Sequence, residues 1–157
     1  MTQRNAIAAQ PGATLDQAAM QHLMGYRLTL AEAASRRVFQ RLVGTPFKLR
    51  PVEFTMLVLL MGNHSATPKQ LAQTLGVSPP NVTVLVDRLA ERGLLQRQRS
   101  DTDGRALNLR LTDKGLDLAQ RAHRVSLTME AQLLSTLSAA ERAMLGELLL
   151  KLAHGSG

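Results

Sequence analysis

Cysteine is absent from the 157 residues, which excludes disulfides, thiolate metal sites and any thiol redox switch, and is consistent with a cytoplasmic protein. Tryptophan is absent too. With one tyrosine and three phenylalanines the aromatic share is 3 %, so a core must be built from Leu, Val, Ala and Met. No apolar run approaches the ~18 residues that a membrane span requires. The longest, Phe54 to Met61, is far shorter, and MTQRNAIAAQPGAT at the amino terminus lacks a signal-peptide hydrophobic region. The four histidines, His22, His64, His123 and His154, have no ligand spacing, and there is neither a Gly-rich phosphate loop nor an acidic pair suited to a cleft. These absences argue against a membrane role, a metal, a cofactor or catalysis.

Hydrophobic residues make up 45 % of the chain, enough for one core, and the length suits one compact domain with added helices rather than two cores. Net charge is +7, and the excess is confined to one region: residues 1 to 112 hold 14 basic against 7 acidic side chains, whereas residues 113 to 157 hold 5 of each. A positive bias of this kind suits a polyanion such as a nucleic acid, and equally an acidic protein or anionic lipid.

Residues 1 to 14 read as a frayed polar tail around Pro11 and Gly12. From Asp16 to about Val43 the recurrence of Leu23, Tyr26, Leu30, Ala34, Val38 and Leu42 predicts a long helix capped by Asp16. A second helix is predicted from Pro51 to Gly62-Asn63, and a third from Thr67, which forms a capping box with Gln70, to a left-handed stop at Gly76. Only Val77 then precedes Ser78, the cap of a fourth helix, so the two helices must cross steeply as a helix-turn-helix. The fourth helix has Val82, Leu85, Val86 and Leu89 as its inward stripe, with Asn81, Thr83, Val84, Asp87, Arg88 and Arg92 outward or on the flanks. Period-two alternation on both sides of the turn-forming SDTDGR predicts a β-hairpin. Thr112 opens a fifth helix running to about Leu137, with Leu116, Ala119, Ala122, Val125, Met129 and Leu133 on one side, and Ser138 with Glu141 caps a sixth.

The predicted fold class is therefore mainly α with a small β-hairpin wing: a winged helix-turn-helix over 46–112, between helical regions 15–45 and 113–157. The fifth and sixth helices carry more apolar surface than a small winged helix can cover. Burial against a second copy of the chain is expected, the alternative being a monomeric bundle of the first, fifth and sixth helices.

Four stretches, LRPVEFTMLVLL, PKQLAQTLGVS, NVTVLVDRLAERGLLQR and the wing DTDGRALNLRLTDKG, resemble the MarR family of bacterial transcriptional regulators from about Leu49 to Gly115. VDRLAERGLL followed by D-x-R and then LT-x-x-G is specific as a set, and the outer helices look like that family's dimerisation helices. The resemblance implies a cytoplasmic homodimer whose winged helices dock in successive major grooves of a palindromic double-stranded DNA operator. It further implies a repressor released by a small aromatic or phenolic acid. The chain departs from the family's pattern at Val84, where many relatives carry an arginine or polar residue, and at Gly104, where some carry a second basic residue. Lacking cysteine, it cannot be one of the family's thiol-based peroxide sensors.

On that reading Lys69, Ser78, Arg88, Arg97 and Arg99 are expected at phosphates, with the helix start at Ser78 adding free backbone N–H groups and a positive dipole. Asn81, Thr83 and Val84 are expected at base edges, Val84 through a thymine methyl. Arg105 is expected in a minor groove, held by Asp103; alternatively the two staple the wing's own turn. Asp87 reads as structural, with a partner among Arg92 or the hairpin arginines. Effector candidates are His22, Tyr26, Arg27 and Met56, of which Tyr26 and Met56 fit equally well as core. The rival reading is a winged-helix protein-interaction module, or an architectural DNA-binding module without an effector.

Overall fold

The computed structural model describes residues 15–99 and 107–155. The chain forms two compact units, one ending at Ala34 and the other starting at Ser35. Its elements are a 3-10 turn at Ala18–Met20, α1 (Met24–Phe39), a π turn at Gln40–Gly44, α2 (Thr45–Phe47), α3 (Pro51–Asn63), α4 (Pro68–Leu75), α5 (Pro79–Glu91), β1 (Leu95–Arg99), β2 (Leu107–Leu111), α6 (Asp113–Leu133) and α7 (Ala139–His154). The class is the expected one, mainly helical with one small antiparallel hairpin.

The first helix differs from expectation at both ends. Asp16 does not cap it: its carboxylate accepts the Ala18 N–H at 3.0 Å and closes the 3-10 turn, and α1 starts only at Met24. That lead-in is fastened from α1 by side chains, with the Tyr26 hydroxyl donating to Gln17 Oε1 at 2.5 Å and Arg27 Nε donating to the Gln21 carbonyl at 2.9 Å. At the other end α1 widens into the π turn, which buries Val43 and Gly44.

The central helices follow the sequence closely. Thr67 Oγ1 accepts the Gln70 N–H at 3.2 Å while Gln70 Oε1 accepts the Thr67 N–H at 2.8 Å, so two donors that α4 cannot satisfy are paired reciprocally. Gly76 ends α4 at φ +62°, a conformation that an L side chain resists, and Val77 and Ser78 lead straight into α5. In the hairpin Leu95 faces Leu111 and Arg97 faces Leu109. A further pairing has no signature in the sequence: Ala66 and Leu109 exchange both backbone hydrogen bonds, at 3.1 and 2.8 Å, adding a one-residue third strand.

The core is aliphatic as expected. Met56, Leu57 and Leu60 of α3 are buried with Leu71, Val82, Leu89 and Leu109, and Phe39 meets Phe54 edge-on at 5.7 Å. Each fully buried leucine contributes about 1.5–3 kcal/mol over its exposed state. α6 packs on α3 with a stripe rotated slightly from the predicted one: Gly115, Ala119, Ala122, Ser126 and Met129 are buried, whereas Leu116 is exposed. Small residues on the inner side let the two helices approach closely. α7 has the expected capping box, Ser138 with Glu141, yet buries no residue at all.

Candidate nucleic-acid interface

α5 is amphipathic in the predicted sense: Val82, Leu85, Val86 and Leu89 are buried, and Val84 is 56 % exposed with Asn81 and Thr83 beside it. Asn81 thus presents an amide, Val84 a bare isopropyl group and Thr83 a hydroxyl whose proton is given to the Pro79 carbonyl at 3.3 Å. Lys69 and Ser78 are exposed at the starts of α4 and α5.

The expectation of several free N–H groups at Ser78 requires correction. Among the first four residues of α5, Pro79 and Pro80 have no N–H, and the Val82 N–H is already bonded to the Ser78 carbonyl at 3.1 Å. Asn81 alone keeps a free helical donor. The Ser78 hydroxyl makes no capping bond.

Both flanks of α5 are tied to neighbouring elements. On one, Asp87 is ion-paired with Arg97 of β1, which gives Asp87 a hairpin arginine as its partner. On the other, Glu53 of α3, 2 % exposed, accepts from Arg88 Nη1 at 3.3 Å and lies 3.8 Å from Arg92 Nη1. The same carboxylate accepts the Arg50 N–H at 2.9 Å, and Arg92 also donates to the Phe47 carbonyl at 3.3 Å. Two arginines and a helix-start N–H thus converge on one buried acid, meeting the requirement that a charge removed from water be paired and hydrogen-bonded. Sequence alone does not mark Glu53 as a functional residue. Its one local signal is its place three residues after Arg50, where an acid can cap a helix opened by Pro51.

Behind α5 the chain is fixed by the LT-x-x-G segment. Thr112 Oγ1 accepts the Gly115 N–H at 3.1 Å and donates to the Gly93 carbonyl at 2.7 Å. Gly115 lies so close to the strand entry that a Cβ there would stand 1.9 Å from the Leu94 carbonyl oxygen. The wing tip, with Asp103 and Arg105, lies outside the described residues, and Arg99 is placed only through its backbone register opposite Leu107. Of the effector candidates, His22 and Arg27 are exposed, Tyr26 is half-buried, and Met56 is fully buried in the core. Among the described residues no group of three His, Asp or Glu is placed to hold a metal ion, and no helix is long and apolar enough to cross a membrane.

A family model for the MarR family matches residues 47–106, the stretch from α2 to the wing tip. A solved structure of a transcriptional repressor, CouR, bound to a 23-mer DNA duplex, matches with a TM-score of 0.82 and 33 % identity over 90 % of this chain and 99 % of that one. The chain belongs to the MarR family. Among MarR-family relatives, the transcriptional repressor MprA of Escherichia coli K12 is 38 % identical over 90 residues, 57 % of this chain; the chain spans about half, 51 %, of the length of the curated relatives it matches. The PcaV transcriptional regulator from Streptomyces coelicolor, in complex with its natural ligand, matches with a TM-score of 0.75 and 26 % identity over 92 % of this chain and 99 % of that one. Family membership accounts for the shared scaffold.

Proposed function

We propose that this MarR-family chain is a homodimeric, sequence-specific DNA-binding repressor, released from a palindromic operator by a small aromatic or phenolic acid. The observation that carries the reading is α5: its apolar side is buried, its two flanks are tied, and Asn81, Thr83 and Val84 remain on the open face at the amino-terminal half, where helix-turn-helix docking meets bases. Asn81 suits an adenine edge and Val84 a thymine methyl. Lys69, Ser78 and the hairpin arginines Arg97 and Arg99 supply phosphate contacts, and Arg105 with Asp103 serves the minor groove.

The exposed apolar side chains of α7, among them Met144, Leu148 and Leu150, support a dimer, because nothing among the described residues buries them. The ligand-bound PcaV relative supports an effector, with His22, Tyr26 and Arg27 as the polar candidates and Met56 as the apolar one.

Selection of bound duplexes from a random pool, followed by footprinting, tests the DNA reading. The expected result is a two-fold symmetric footprint with half-sites ~10–10.5 base pairs apart and a binding constant that falls steeply with salt. Arg105→Ala is expected to weaken operator binding by about tenfold or more, and unchanged binding in a salt-controlled titration would remove the wing assignment. Binding indifferent to sequence would instead favour an architectural or protein-interaction role, which the bare Val84 also fits. A screen of aromatic carboxylates in which no compound both stabilises the protein and releases DNA would eliminate the effector.

A further inference from the structure

We propose that Glu53 is a specificity-determining residue for DNA, although it sits in the core and cannot touch a base. The inference rests on the DNA-binding reading of α5. Three observations carry it. Glu53 is almost wholly buried at the start of α3, and its two oxygens are shared among the Arg50 N–H, Arg88 and Arg92. Arg88 and Arg92 lie one helical turn apart at the carboxy-terminal end of α5, each about one-third exposed, on the flank beside the Val84 face. Arg92 is further fastened by its bond to the Phe47 carbonyl.

A free arginine at such a position reaches for the nearest phosphate, and phosphate contacts strengthen binding to every sequence alike. Glu53 acts against that in two ways. It occupies both guanidinium groups, withholding them from the DNA backbone, and it fixes the rotation of α5 about its axis, so that Asn81 and Val84 meet the bases in a single register. The sequence expectation of a phosphate contact for Arg88 thereby changes sign: its bond is made inward, and its effect is on discrimination. A lone buried carboxylate is stable only while these donors stay on it, so the arrangement is self-enforcing.

Glu53→Gln separates the parts, because a glutamine oxygen still accepts the Arg50 N–H but no longer holds two cations. The experiment compares wild-type and Glu53→Gln chains on the duplex that the wild type selects from a random pool and on a scrambled duplex of equal length, across a salt series. For Glu53→Gln the expected result is scrambled-duplex binding strengthened about three- to tenfold, a specificity ratio reduced at least tenfold, and a log K against log salt slope steeper by ~1–2, since each added phosphate contact contributes ~0.9. If Glu53→Gln does not fold, Glu53→Gln with Arg88→Gln places two amides across the same gap and frees Arg92 alone; the slope should then steepen by ~1 and the ratio fall. A folded variant with the wild-type ratio and slope, differing only in melting temperature, overturns the proposal and leaves Glu53 a stability residue. A wild-type chain that selects no sequence overturns it together with the reading on which it rests.

Discussion

At Gly115 one missing methyl group decides whether the wing can meet α6. A Cβ would stand 1.9 Å from the Leu94 carbonyl oxygen, a contact with rigid backbone that no rotamer relieves. Gly115→Ala is expected to destabilise the fold by roughly 3 kcal/mol or more, seen as a lowered midpoint in a urea titration; a variant within about 0.5 kcal/mol of wild type would mean that α6 and the strand do not approach so closely. Legibility in the sequence divides at this scale by distance along the chain. Val82, Leu85, Val86 and Leu89 were readable as core because their neighbours repeat at helical spacing, and Thr67 with Gln70 was readable because a capping box is local. Glu53 was not, as its partners lie 35 and 39 residues further on and an isolated acid near a helix start carries no hint of them. The loss of donors at Pro79 and Pro80, by contrast, is legible directly, since neither residue has an N–H.

Among the elements, α7 shows how one local motif responds to pH. Glu141 accepts from Ser138 through both the backbone N–H and the hydroxyl, and these bonds, the backbone one first, hold its carboxyl below the ordinary 4.5. A depressed acid stabilises the folded helix at pH values above its unfolded value and loses that contribution as pH falls through the folded value, so helix content should drop below pH 4.5. Circular dichroism between pH 6 and 3 checks this, and Ser138→Ala should show a shallower loss over the same range; equal losses would separate Glu141 from the transition. The start of α1 shows where reading elements from sequence fails. Apolar repeats continue through Leu23, yet side-chain bonds from Tyr26 and Arg27 fasten the preceding residues outside the helix, and periodicity registers faces rather than such tethers. The one-residue strand at Ala66 is too short for any period to mark.

For the whole molecule the open question in the sequence, a partner subunit or a monomeric bundle, turns on α7. Sixteen residues long and capped at its start, it buries none of its side chains within this chain. Sedimentation should return twice the 17.1 kDa mass of the chain, and Met144→Glu with Leu148→Glu should shift it towards the monomer and weaken operator binding by at least tenfold, because both half-sites are no longer held at fixed spacing. An unchanged mass in that variant would assign the interface elsewhere. The uncovered α7 also makes stability a matter of abundance. If two chains complete one another's folding, each tenfold dilution costs the pair about 1.4 kcal/mol, so the melting temperature rises with concentration and scarce copies are the first to unfold. A cell holding few molecules of this protein would then lose them to proteolysis faster than one holding many, and the quantity made would set how long each copy lasts.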